Sequence, residues 1–423
     1  MGRFDTTDYF MDASLVDDPF PYFEYLRSKG PVVPLPHHGV VAVVGYDAAA
    51  EVWRDHETFS SCNSVTGPFP GLPVKPEGDD IRALIEQHRA ALPMAGYLVT
   101  ADPPSHTALR GLLMKLMTPK RLQENEAFIW RLADLQLDHA LQQSACEVLH
   151  DFAQPFATLV IADLLGVPEE DRRWFAAKLG VQQPGPVVGH ADREVATDPL
   201  GFLVETFSGY VEDRRRTPRK DVLTHLATAT FPDGSLPPVI DVVRTATFLF
   251  AAGQDTTARL IGAALRVIGE DPGLQKLLRE ERRRIPDFLE EVLRLHGPVK
   301  TVPRMARVRT TLAGVDIPAG ATVVILPHAV NRDPSRFEAP NELRLDRRNV
   351  REHLAFGRAI HSCPGGPLAR VEARIALDRF FDRTSEIRIS DAAHGPAGAR
   401  RYSYIPTYIL RALKELHLEI TPA

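Results

Sequence analysis

One cysteine stands alone in a stretch whose residue types could do chemistry. Residues 356–366 read F-G-R-A-I-H-S-C-P-G-G, and P-L-A-R-V-E-A-R-I-A-L follows with helical character, so Cys363 is presented just before a helix. The other two cysteines, Cys62 and Cys146, lie far away and without C-x-x-C spacing. Zinc needs several clustered Cys or His ligands, which this pattern does not offer. A lone thiolate at a helix start suits nucleophilic attack, or ligation of an iron whose other ligands come from a porphyrin. A free thiol has a pKa of roughly 8.5, and the unpaired N–H groups of a helix start favour its anion. Gly357, Gly365 and Gly366 let the backbone pass close to a flat ligand, and Pro364 can take the first helical position. His361 can reach a group beside the sulfur. A plain buried cysteine at a loop–helix junction is the simpler reading of Cys363 alone.

A second constellation is A-G-Q-D-T-T, residues 252–257, inside a long apolar run. An interior Gly costs about 1 kcal/mol against Ala, and room for a ligand against the helix backbone is one reason to keep Gly253. A Thr bonded back to a carbonyl makes a polar notch in an apolar wall. By itself Asp255-Thr256-Thr257 is more often a kink or a solvent-facing step. Glu291 and Arg294 oppose charges at i, i+3, ordinarily a surface pair worth ~0–1 kcal/mol. His106 and Arg110 share a helix face at i, i+4.

The elements that must position these groups are mostly helices. The pattern predicts helices over residues 17–29, 47–56, 102–122 and onward to about 165, 174–179, 199–216, 221–230, 274–284 and 288–295. The longest runs from Pro238 to about Glu270, roughly 45 Å at 1.5 Å per residue; with Arg244, Asp255 and Arg259 in it, it should cross a protein interior. Val32–Val44 reads as a hairpin, Thr310–Ile325 as strands with turns, and Tyr402–Ile420 as a terminal hairpin. Residues 331–347 form a proline-broken meander. Ser60–Gly96 and Val181–Thr197 are long and rich in Gly and Pro, and are expected to act as a mobile lid. Within 423 residues no repeat or clean linker appears, so one domain over 1–423 is expected. A net charge of −5 makes no case for nucleic-acid binding, and three cysteines suit a reducing compartment. The first residues carry no long apolar run, so neither signal peptide nor membrane anchor is expected and the location reads as cytoplasmic.

Residues 356–366 resemble the haem-ligand loop of the cytochrome P-450 superfamily, F-G-x-G-x-H-x-C-x-G, in which the thiolate pushes electron density toward O–O cleavage. Ala359 departs from the pattern, standing where the family has its second Gly. The A-G-Q-D-T-T segment resembles the family's oxygen-activation motif, and Glu291-Val292-Leu293-Arg294 its E-x-x-R pair. N-R-D-P, with Phe337 and Pro340 following, continues the family's order. The resemblance implies a mainly α fold with a small β region and a long central helix over haem b. It implies Cys363 as the iron ligand beside Phe356 and Gly365, and His106, Arg110, Arg304 and His361 as partners of the haem propionates. Thr256 would hold dioxygen and a water, and Asp255 would relay protons. Arg347 would complete a buried structural triad with Glu291 and Arg294.

The reaction class so implied is monooxygenation, in which O₂ and two electrons deliver one oxygen to a C–H or C=C bond of a hydrophobic small molecule. Electrons would come from a separate ferredoxin and ferredoxin reductase, docking on a basic face that includes Lys115, Arg121, Arg351 and Arg358. By position, Phe69, Leu72 and Leu98, Phe248 and Ala251, Val299, Thr301 and Val302, and Ile409 and Leu410 would line the pocket. Lys300 would face solvent or meet a substrate carboxylate. A peroxygenase fed by H₂O₂, a non-enzymatic haem sensor and a cysteine hydrolase are the alternatives; the first two make no use of the acid–alcohol pair, and the third has no partner marked by motif.

Overall fold

The computed structural model of the chain describes residues 2–142, 145–172, 174, 187–189, 200–231 and 233–423. A helix of 32 residues, Val239–Glu270, runs through its middle. Pro238, which cannot donate, precedes it, and Asp271 ends it by capping the next helix, accepting from the Leu274 amide at 2.9 Å. From Thr257 to Leu265 every residue is buried, so this helix has no solvent face there. It packs on the helices Gln154–Leu165, Gly201–Arg216 and Gly366–Arg383.

Glycines set how closely those neighbours approach. A Cβ at Gly262 would lie 2.4 Å from Cδ2 of Leu149, and one at Gly253 would lie 3.3 Å from Cγ1 of Ile161. Gly253, expected to clear room for a ligand, therefore faces a neighbouring helix instead. The signal was the same; the partner was not legible without the fold.

Other helices begin where the sequence offers caps. Thr118 accepts from the Arg121 amide at 3.4 Å ahead of Pro119–Ala140. Ser105–Met114 follows a Pro-Pro pair, and Gly166 closes Gln154–Leu165 in the left-handed conformation. Among the described residues the β region consists of three small sheets. The largest has the strand order Val32–Pro34, Val40–Val43, Thr322–Ile325, Val302–Ala306, Phe59–Ser60; one of its pairings, between Val40–Val43 and Thr322–Ile325, is parallel. The others join Ala145–Glu147, His417–Pro422 and Thr384–Ile389, and Thr310–Leu312 with Val315–Ile317. The architecture is mainly α with a small β region.

Two expectations change. Tyr402–Ile420 is a hairpin only in part: residues 403–414 fold back through an antiparallel bridge of Tyr404 with Leu413, the Ile405 amide donating to the Ala412 carbonyl at 2.9 Å and the Lys414 amide to that of Ser403 at 2.8 Å, while His417–Pro422 is a strand whose partners are Thr384–Ile389 and Ala145–Glu147. Its tip is also pinned to residues 298–301, with the Lys300 amide donating to the Ile409 carbonyl at 2.8 Å and the Arg411 amide to that of Pro298 at 2.8 Å. Alternating residues suit pairing with a distant segment as well as with a local one. Within Ser60–Gly96 a helix forms at Arg82–His88. The expected helix 174–179 and the lid segment Val181–Thr197 lie outside the described residues, apart from 174 and 187–189.

Candidate active site

A cavity of about 1560 Å³ opens between the central helix, the cysteine loop, the strand Val302–Ala306 and the terminal loop. Cys363 reaches it from below. The cysteine amide donates to the Phe356 carbonyl at 2.8 Å, closing the loop three residues before the helix Gly366–Arg383 starts. The sulfur is open to the cavity yet surrounded by protein. Burial pushes its pKa up, while the amides of Gly365 and Gly366 pull against that by donating to the sulfur. Gly357, at φ +67°, is where the loop needs a glycine: an added Cβ would lie 3.4 Å from the His361 carbonyl and 3.5 Å from Nε1 of Trp53. Ala359 also adopts a left-handed φ, 57°, which explains why a Gly is the ordinary choice there.

One edge of the cavity gathers basic groups without acids. His106, Arg110, Arg304 and His361 all line it, brought from a helix, a strand and the cysteine loop. The rings of His106 and His361 stand 4.2 Å apart, and Nε2 of His361 pairs with the Ser61 hydroxyl at 2.9 Å. Nε2 of His106 is buried with no partner among the described residues. Arg304, 4% exposed, donates to the Pro303 carbonyl at 2.7 Å, and among the described residues neither it nor Arg110 has an ion pair. Burial, aided by neighbouring cations, depresses His106 to about 4 and His361 to about 2, and burial alone, against the pull of Asp102, depresses Arg304 to about 10. Buried cations without counter-ions are costly, so this edge suits an anionic ligand.

Opposite the sulfur, the central helix presents Ala251, Ala252, Asp255 and Thr256. The Thr256 hydroxyl donates to the Ala252 carbonyl at 2.7 Å, and the helix continues unbroken. Phe69, Leu98, Phe248, Val299, Thr301, Val302, Ile409 and Leu410 also line the cavity. Leu72 does not; it packs with Cys62, Ile81, Ile85, Leu92 and Met305 beneath the irregular segment.

The family model for cytochrome P-450 matches residues 202–385. The chain is 32% identical over 419 residues to cytochrome P-450 144 of Mycobacterium tuberculosis, covering 97% of this chain and 91% of that protein. The chain belongs to the cytochrome P-450 family. A substrate-free cytochrome P-450 of Mycobacterium marinum matches with a TM-score of 0.94 at 57% identity, covering 99% of this chain and all of that one. The 6-deoxyerythronolide B hydroxylase of Saccharopolyspora erythraea is 31% identical over 373 residues, 85% of this chain and 86% of the relative. This P-450 is accordingly a haem-thiolate monooxygenase that carries haem b. The orphaned His106 nitrogen, the uncompensated arginines and the cavity-facing thiol fit that dianionic group.

Beneath this P-450's cysteine loop lie two buried charge networks. Glu291 accepts from Arg294 at 2.7 and 2.9 Å, from Arg347 at 3.0 Å and from the Arg344 amide at 2.8 Å. Arg294 also donates to the carbonyls of Asn331, Pro340 and Glu342. The neighbouring Glu290, which sequence patterns did not single out, binds His353 at 2.9 Å and Arg370 at 2.6 Å. Burial alone would raise its pKa, but those two partners outweigh it and hold the carboxyl at about 2. Arg370 stacks over Phe356 at 4.6 Å and so ties this network to the loop. Asp102, also missed, holds Ser60, Ser61 and Arg89 behind the basic edge. The only available signal was its place four residues before His106.

Lys300 corrects another expectation. It is 2% exposed and absent from the cavity wall, with its ammonium 6.0 Å from the ring centre of Tyr9. Burial, with Arg411 nearby, lowers its pKa to about 7. It faces neither solvent nor the cavity. Its neighbours Val299 and Thr301 line the cavity, the Thr301 hydroxyl paired with that of Tyr9 at 2.6 Å. Of the basic residues offered for docking, Lys115, Arg351 and Arg358 are exposed and Arg121 is half-buried.

Proposed function

We propose that Cys363 is the protein ligand to the haem iron and that this P-450 oxidises a hydrophobic small molecule. The observation that carries the reading is the cavity itself: a lone thiol held by two amides on one side, and an acid–alcohol pair on the other. Bound haem supplies the oxidising chemistry, by which O₂ and two electrons place one oxygen on the substrate and release the other as water. His106, Arg110, Arg304 and His361 bind its propionates. The amides of Gly365 and Gly366 stabilise negative charge on Sγ of Cys363.

Phe69, Leu98, Phe248, Ala251, Val299, Val302, Ile409 and Leu410 orient the substrate and keep bulk water out. In so apolar a pocket protons need a defined carrier. Thr256 holds one at its hydroxyl beside dioxygen, and Asp255 resupplies it; positioned proton transfer typically contributes ~10²–10⁴-fold. Electrons come from a separate ferredoxin and ferredoxin reductase, with Lys115, Arg351 and Arg358 on the docking face and the enzyme in the cytoplasm. Among the described residues no helix is long and apolar enough to cross a membrane.

The test is the spectrum of the reduced protein with carbon monoxide. Thiolate ligation gives a Soret band at distinctly longer wavelength than imidazole ligation. The wild type should show the thiolate band and Cys363→His should lose it. An imidazole-type band in freshly folded wild type would overturn the assignment.

A further inference from the structure

The cavity does not end at the apolar pocket. Its wall also includes Glu147, His150, Gln154, Lys414, Glu415 and His417, a polar arm set beside Arg259 by that residue's bond to the Leu413 carbonyl. Lys414 and Glu415 are exposed, so the arm reaches solvent. Two imidazole–carboxylate pairs stand there, His150 with Glu147 and His417 with Glu415, the latter at 3.3 Å. At the inner end sits Arg259, whose side chain is 6% exposed. Its Nε and Nη2 reach one oxygen of Asp255, Oδ1, at 3.1 and 3.0 Å, and its Nη1 donates to the Leu413 carbonyl at 2.5 Å. The other oxygen of Asp255, Oδ2, is buried and has no partner among the described residues.

An exposed i, i+4 pair contributes only ~0.3–0.5 kcal/mol and requires no burial. Here a guanidinium is taken out of water and fixed at three points, which costs desolvation that packing alone does not demand. Buried polar atoms are almost always hydrogen-bonded, so Oδ2 marks a place for a water or a proton delivered from the arm.

We infer that Arg259 is a positioning residue: it clamps one oxygen of Asp255 at the inner end of the polar arm and leaves the other to take protons from solvent. The inference rests on the reading of Asp255 and Thr256 given above. Each turnover consumes two protons with two electrons as one oxygen of O₂ leaves as water. After each transfer toward Thr256 the free oxygen is reloaded through the arm while the other stays in its ion pair. Arg259 is not interchangeable with Lys, whose single ammonium cannot hold Asp255 and the Leu413 carbonyl in one plane.

The experiment uses the haem-loaded full chain with redox partners, and compares Arg259→Met, Arg259→Lys and Gln154→Leu, the last lining the arm away from the ion pair. Arg259→Met should lower kcat ~10-fold, a part of what positioned proton transfer supplies. KM should stay within about twofold, and the solvent isotope effect on oxygen consumption should grow. Arg259→Lys should recover part of kcat. Gln154→Leu should enlarge the isotope effect too. A readout apart from turnover is the infrared carboxylate band of aspartate-labelled protein, assigned by its loss in Asp255→Asn: it should shift in Arg259→Met and stay in place in Gln154→Leu. Wild-type isotope effects in both folded variants would overturn the inference, and Gln154→Leu alone decides if Arg259→Met does not fold. Thr256→Ala separates the two levels. If it keeps wild-type coupling, the proton reading itself falls. If it uncouples while the Arg259 and Gln154 variants behave as wild type, only the role of Arg259 and the arm falls.

Discussion

Glu291 and Asp255 are both carboxylates on helices that wall the cavity, and each is paired with an arginine of its own helix. Their surroundings differ. Both oxygens of Glu291 are saturated by Arg294, Arg347 and the Arg344 amide, and neither Glu291 nor Arg294 has any exposed surface. Asp255 keeps one oxygen paired and the other orphaned beside a polar arm of the cavity. A saturated network in a dry interior has a single arrangement and no spare lone pair, so it can hold a loop but cannot move a proton. A half-satisfied carboxylate next to water can do the second at some expense of the first.

The sharpest way to break this contrast is to delete one member from each side. Glu291→Ala strips two buried arginines of their counter-ion and should cost ~3–5 kcal/mol, seen as a lower melting temperature and poor haem retention. A stable, haem-loaded Glu291→Ala protein would erase the distinction. Thr256→Ala, on the other side, should leave the melting temperature and spectral substrate affinity nearly unchanged. It should instead divert reducing equivalents to peroxide, with product per NAD(P)H reduced by ~10²-fold at most. Wild-type coupling in that variant would remove the hydroxyl from the chemistry.

Lys300 sharpens the comparison, because it is buried charge that neither network uses. Its folded pKa of about 7 lies below the ordinary 10.5. Between those values the unfolded chain holds a proton that the folded chain has released, so stability rises with pH across that window. Lys300→Met should flatten this rise and stabilise the protein below about pH 7, measured by denaturant titration at a series of pH values. An unchanged slope would mean that the ammonium has a buried partner. The smallest effect is expected at Ala359. Its left-handed φ costs ~1–2 kcal/mol, partly offset by the greater chain entropy that a Gly loses, so Ala359→Gly should gain ~1 kcal/mol or less. The reduced carbon monoxide spectrum should not move.

The sequence by itself determined the make-up of the cysteine loop, because a thiol, its flanking glycines and the following helix lie within one short segment. Local spacing likewise placed Asp255 and Thr256 on the long helix and Glu291 and Arg294 on one face. What only the tertiary structure decided are relations between segments hundreds of residues apart. It put Ile161 against Gly253, turned Lys300 inward while Val299 and Thr301 line the cavity, and paired the terminal strand with residues 384–389 and 145–147. It also brought Leu413 to Arg259 and left an oxygen of Asp255 without a partner among the described residues. Side-chain spacing along one element fixes which residues share a face. Which neighbour meets that face, and whether a charge finds a partner there, depends on packing that no local pattern encodes.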